Sequence, residues 1–245
     1  MKRFTLILLT VLAAVACRKI TPEEQIAKIA DYFEKNTDTY AEDLTRHEGE
    51  KRLDYLTLAL AKDLKSDDIW TLDFAGGTSL IAEFPGREKK QTQFSLLSAS
   101  LDDPDACAAV LQTIHAFKAL KIRPKGTIRT VFYSTEEDTL GHSGLAAVSR
   151  EFYEAAELVT LEIEVSSRDT MPAHTFVIEE NPAFVAQFME LIPPYLKPLG
   201  TYRFERGRFP NKQWPIKASI YRYYMDPSEI RKESAAIAAL ALLVN

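Results

Sequence analysis

Apolar and polar positions alternate along this chain with two different periods. From Pro22 to about Leu64 the apolar residues fall at helical spacing, with Ile26, Ile29, Ala30 and Phe33 on one face and Leu53, Leu56, Leu60 and Leu64 on another, which predicts two helices. Residues 70–84, WTLDFAGGTSLIAEF, hold two β-rich runs broken by Gly76-Gly77 and stopped by Pro85-Gly86, the pattern of two strands around a turn. FSLLSAS, residues 94–100, reads as a short core strand. In residues 104–120 a stripe of Ala106, Val110, Ile114, Phe117 and Leu120 follows Pro104, which suits the first turn of a helix. The Pro and Gly of IRPKG stop that helix, and TIRTVFYS then reads as a strand, SGLAAVSREFYEA as a helix and LVTLEIEV as a strand. The last third continues with HTFVIEE as a strand, PAFVAQFMELIPPYL as a helix, ASIYRYYM as a strand and a closing helix from about Pro227.

This alternation requires crossover connections, and so predicts an α/β fold: a three-layer αβα sandwich whose mixed, largely parallel central sheet is covered on both faces. The length of 245 residues, 46% hydrophobic and 27% charged, fits one such domain with a sizeable core. No internal repeat or low-complexity linker interrupts it. The expected division is residues 1–16 as a signal peptide, 17–69 as an N-terminal helical segment packing on the domain, and 70–245 as the αβα domain.

A net charge of -5 argues against a nucleic-acid surface, because phosphate binding needs clustered Lys and Arg. The first residues, MKRFTLILLTVLAAVAC, place Lys2 and Arg3 before an apolar stretch and small residues before Cys17, the pattern of a bacterial export signal. The apolar stretch falls short of the ~20 residues that span a bilayer. Cys17 resembles the lipidated cysteine of bacterial lipoproteins, with Ala14 where such boxes usually carry Leu; Ala14-Val15-Ala16 also fits ordinary cleavage. The expectation is a membrane partner through a lipid anchor at Cys17, in the cell envelope facing periplasm or exterior. The other cysteine, Cys107, lies among apolar helix positions and reads as a small buried hydrophobe.

Acidic residues gather where the predicted strands end. Glu136 and Glu137 follow TIRTVFYS, Asp102 and Asp103 follow FSLLSAS, and Glu162 and Glu164 fall late in LVTLEIEV. In open α/β sheets, ligands collect beyond the carboxyl ends of strands.

The segments carrying these residues resemble, from about residue 70 to the end, the clan MH zinc exopeptidases, which include bacterial leucyl aminopeptidases, and the related glutaminyl cyclases. SLIAEFPG at 79–86 is similar to the family's early strand and turn. SLLSASLDDPDACAAVL at 95–111 resembles a shortened fusion of its H-x-D and D-D/N-x-A-S-G elements. TIRTVFYSTEEDTLGHSG at 127–144 resembles its E-E-x-G-x-x-G-S element, LVTLEIEV its Asp-ending strand, and YRYYMDPSEI at 221–230 its late His segment. The resemblance implies two zinc ions held by His and carboxylate ligands, with Glu136 as general base and Asp102, Asp103, Glu137 and Glu162 at ligand positions.

Both family histidines are replaced: Ser100 stands at the His of H-x-D, and Tyr223 or Tyr224 at the late His. The loop between Asp102 and Asp103 is missing, and Glu162 is one methylene longer than the usual Asp. Only His47, His115, His142 and His174 remain. His47 and His115 read as structural or solvent-exposed; His142 and His174 could reach the rim, but neither occupies a ligand position. Residues 200–217 form a basic loop whose Arg206, Arg208 and Trp214, with Tyr223 and Tyr224, are candidates for a peptide or small-molecule ligand. The expected function is a zinc-aminopeptidase-like fold that is catalytically degenerate, needs no cofactor and serves as a binding or structural module. The alternative is an active metal-dependent aminopeptidase or amide hydrolase with an altered zinc site.

Overall fold

The computed structural model describes residues 20–36, 40–88, 93–137, 143–155, 158–167, 171–179, 189–190, 192–207 and 219–243. The signal segment with Cys17, His142, and Arg208 and Trp214 of the basic loop lie outside these residues, as does most of the predicted helix PAFVAQFMELIPPYL.

Among the described residues, three helices rather than two lie before the sheet: α1 (Pro22–Lys35), α2 (Ala41–Arg46) and α3 (Glu50–Leu60). Helix α1 starts on a capping box, in which the Thr21 hydroxyl accepts from Glu24 N and the Glu24 carboxylate accepts from Thr21 N. The sequence pattern overlooks α2 because its one buried side chain is Leu44, too few to make a stripe. Extended backbone at His47 and a φ of 52° at Gly49 separate α2 from α3, a conformation that glycine adopts at little steric cost.

The sheet has eight strands: β1 (Ile69–Phe74), β2 (Gly77–Phe84), β3 (Gln93–Ser100), β4 (Thr127–Tyr133), β5 (Leu158–Ser166), β6 (Thr175–Glu179), β7 (Arg203–Gly207) and β8 (Ser219–Tyr224). Their order is β1-β2-β4-β3-β5-β8-β6-β7. Strands β4, β3, β5 and β8 run parallel, whereas β1 pairs with β2, β2 with β4 and β6 with β8 antiparallel. The sheet is mixed with a parallel centre, as the alternation of elements implies.

Helices α4 (Pro104–Ala119) and α6 (Ile230–Leu243) pack together on one face, with α1 against α6 and α2 against α4. Their core joins Ile29, Phe33, Leu56, Leu97, Ala109, Phe117, Ile163, Phe176, Tyr223 and Ile237. Helix α5 (Gly144–Glu154) covers the other face, where Ile81, Phe94, Leu96, Val131, Val148 and Phe152 form a smaller cluster. Arg129 is held there by Glu83 at 2.8 Å and stacks over the Phe94 and Phe152 rings.

Strand β7 is a correction to the sequence reading, which takes residues 200–217 as a loop. Its sequence RFERG has one partly buried aromatic, Phe204, stacked on Phe176, so the run lacks the apolar content of a core strand. It forms because β6 offers a free edge, and a polar edge strand resists pairing with a further chain.

Candidate functional site

Parallel β4, β3, β5 and β8 end together, and the turns after them form the rim that sequence reading points to. Strand β3 ends at Ser100, whose hydroxyl accepts from Asp102 N at 3.1 Å and whose carbonyl accepts from Asp103 N at 3.0 Å. This tight turn leads directly into α4, with Asp103 as its N-cap. The buried Asp103 carboxylate accepts three hydrogen bonds: Oδ1 accepts from Ala106 N at 3.0 Å and from the Ser167 hydroxyl at 2.6 Å, and Oδ2 accepts from Ser167 N at 2.7 Å. It caps α4 and ties it to the end of β5. Asp102 is exposed and accepts from the Thr135 hydroxyl.

Glu136 and Glu137 lie after β4 with exposed side chains. Their backbone, by contrast, is fixed. The Ser134 hydroxyl accepts from Glu136 N at 3.2 Å and donates to Gly76 O at 3.2 Å. The β1–β2 turn presses so closely that a Cβ on Gly76 would stand 2.6 Å from Glu136 O, which is why a glycine is needed there. The pair is thus presented on an anchored turn, with its carboxylates toward solvent.

Glu162 is not at the rim. It pairs with Leu96 on β3 and Ile220 on β8, and β5 continues to Ser166. The residue delivered beside Asp103 is Ser167, and the reason for the misplacement is that the strand runs two residues beyond LVTLEIEV's second glutamate. Glu164, on the same face as Glu162, accepts from Arg222 at 2.7 Å and from the Tyr133 hydroxyl at 3.1 Å. Burial, then the charge of Glu164, pushes the Tyr133 phenol above its usual range. Tyr224 hydrogen-bonds Arg222 on this face and is nearly buried.

Tyr223 points to the opposite face and is fully buried, stacked on Phe176 with ring centroids 4.1 Å apart and donating to Glu233 Oε2. Both tyrosines are buried, which speaks against the surface ligand role expected of them. Arg206 is exposed on edge strand β7, separated from β5 by β6 and β8. His115 bonds Asp63 at 2.7 Å, and His47 stacks on Tyr55, so both have structural roles. Cys107 is buried and donates to Ser100 O.

Sequence reasoning misses one cluster. His174, just before β6, meets Glu229 and Glu233 at the start of α6, with one ligand atom from each within 4.8 Å of the others. The available signal was E-x-x-x-E in PSEIRKE, a four-residue spacing that puts both carboxylates on one face. Burial pushes the Glu233 carboxyl above its usual range, against hydrogen bonds from Tyr223 and Asp226 N.

A zinc pair does not fit the described residues of the rim. Asp103 already accepts three hydrogen bonds, and Ser100, Ser166 and Tyr224 stand where β3, β5 and β8 end. Among the described residues, the His174 cluster is the only group of three His, Cys, Asp or Glu donors near enough to share an ion.

This sequence matches no protein-family model and no curated protein. Its structure is similar to a leucine aminopeptidase precursor from Bacteroides thetaiotaomicron, with a TM-score of 0.56 at 11% identity over 93% of this chain and 99% of the other. A Zn-dependent exopeptidase from Parabacteroides distasonis gives 0.56 at 11% identity, over 92% and 99%. A glutaminyl cyclase from Bacteroides thetaiotaomicron, bound to N-acetylhistamine, gives 0.56 at 11% identity, over 93% and 99%. By this similarity over nearly its whole length, the chain has the fold of the zinc exopeptidases, which leucine aminopeptidases and glutaminyl cyclases share.

Proposed function

We propose that this chain is a catalytically degenerate relative of the zinc exopeptidases, exported and lipid-anchored through Cys17, which acts in the cell envelope as a binding or structural module. The observation carrying this reading is the engagement of Asp103. Where a dinuclear site needs a bridging carboxylate, Oδ1 here accepts from Ala106 N and the Ser167 hydroxyl and Oδ2 from Ser167 N, and no imidazole follows β3. Fold alone does not determine activity, and among the described residues the rim brings together no His and carboxylate set that would lower the pKa of a bound water. Exposed Asp102, Glu136 and Glu137 then form an acidic surface suited to a cationic group of a peptide or small molecule.

The test is hydrolysis of aminoacyl anilides and cyclisation of N-terminal glutamine peptides by the mature protein, with and without added zinc. No turnover is expected, and Glu136→Gln leaves that result unchanged. Metal-dependent turnover abolished by Glu136→Gln would restore the reading as an active hydrolase. Palmitate labelling that disappears in Cys17→Ser tests the anchor.

A further inference from the structure

We propose that His174, Glu229 and Glu233 bind one divalent transition cation of the zinc class, at a site on the far side of β8 from Asp103 and Ser167. The donors come from three places that the fold draws together. His174 precedes β6, Glu229 closes the 3-10 turn Pro227–Glu229, and Glu233 lies in the first turn of α6. His174 Nδ1 is 2.6 Å from Glu233 Oε1, and Nε2 is 3.6 Å from a Glu229 oxygen. One imidazole and two carboxylates match a first-row divalent ion in both charge and donor type, and leave a coordination position for water.

Unused polar atoms point the same way. His174 Nδ1 is buried and, despite its nearness to Glu233, makes no hydrogen bond of acceptable direction. The Tyr202 hydroxyl is likewise buried without a hydrogen-bond partner among the described residues, and its ring meets the His174 ring edge-on at 6.1 Å. Buried polar atoms are rarely left unpaired, and a ligand explains them.

Glu233 is already oriented as a metal-binding carboxylate would be. It is wholly buried, and Tyr223 and Asp226 N donate to its two oxygens. Lys232 Nζ, 2.7 Å from Glu229 Oε2, supplies positive charge there without the ion. A bound cation would tie the start of β6 to the start of α6 across the end of β8. This departs from the sequence expectation of no cofactor, and it does not depend on whether the rim is inert.

Calorimetric titration of the metal-depleted full-length mature protein with zinc chloride tests the site, with thermal melts as a second readout. One zinc per chain is expected, with a rise in melting temperature on binding. His174→Asn and Glu229→Gln should each weaken binding by about tenfold or more and abolish the thermal shift, while Glu88→Gln, at an exposed carboxylate beyond β2, leaves both unchanged. Asn tolerates the left-handed φ of 59° at position 174, and Glu229 is exposed, so both variants should fold, which circular dichroism checks. Absence of stoichiometric zinc uptake, or uptake that persists unchanged in both folded variants, overturns the proposal.

Discussion

Asp103 shows how one carboxylate can end a metal site and stabilise a fold with the same atoms. Its oxygens satisfy a free amide at the start of α4 and bind both donors of Ser167, so α4 and β5 are joined through it. Replacement by Ala removes an N-cap and leaves buried donors unpaired, which predicts a loss of about 2–4 kcal/mol. Denaturant melts of the metal-depleted protein measure it; a carboxylate serving only as a metal ligand would show little loss under those conditions. Cys107 lies one turn into the same helix, and burial pushes its thiol far above the usual range. At pH 8 the peptide containing Cys107 should therefore stay unalkylated in the native protein and react once denaturant is added, as mass spectrometry can follow. Early labelling in buffer would contradict the burial.

The double glutamate depends on an element that looks unrelated to it, the β1–β2 hairpin. Gly76-Gly77 reads from sequence as a turn, and the hairpin forms there. What sequence cannot show is that this turn abuts the backbone of Glu136 and Glu137. Gly76→Ala would drive a Cβ to 2.6 Å from Glu136 O and 2.9 Å from Glu137 C, so the turn or the glutamate segment must move. A cost of about 1–3 kcal/mol is expected in denaturant melts, and a cost near zero would mean that the two turns are not in contact. Elements with a clear period were legible: β2, β3, β4, α4, α5 and β5 fall within a few residues of their predicted positions. Helix α2 and strand β7 were not, because each shows one apolar position where a pattern needs several. The candidate rim residues could be named from the sequence, but not their surroundings. Glu162 looked terminal because the boundary of β5 cannot be read from its residues, and the two hydrogen bonds from Ser167 to Asp103 span 64 residues. In the His174 cluster only the E-x-x-x-E pair is close in sequence; His174 stands more than fifty positions before it, a distance at which spacing carries no signal.

At the scale of the molecule, the N-terminal helices do not form a core of their own. Ile26, Ile29 and Phe33 of α1, Leu44 of α2 and Leu56 and Leu60 of α3 are buried in the same cluster as Leu97 of β3, Phe117 of α4 and Ile237 of α6. Removing them would uncover that side of α4 and α6, which the packing of α1 on α6 and of α2 on α4 now protects. A core shared by the N-terminal helices and the sheet implies that they unfold in one cooperative transition. Ile29→Ala and Leu97→Ala, at opposite ends of the chain's architecture, should each cost about 2–5 kcal/mol because both side chains are almost wholly enclosed. The measurement is unfolding followed by two probes, near-ultraviolet signal from aromatic packing and far-ultraviolet signal from helix content. If the helices and the sheet share a core, Ile29→Ala shifts both curves together and leaves them superimposed. Were the segment a separately folded appendage, that substitution would instead split off an early transition in the helical signal while the aromatic signal kept its original midpoint.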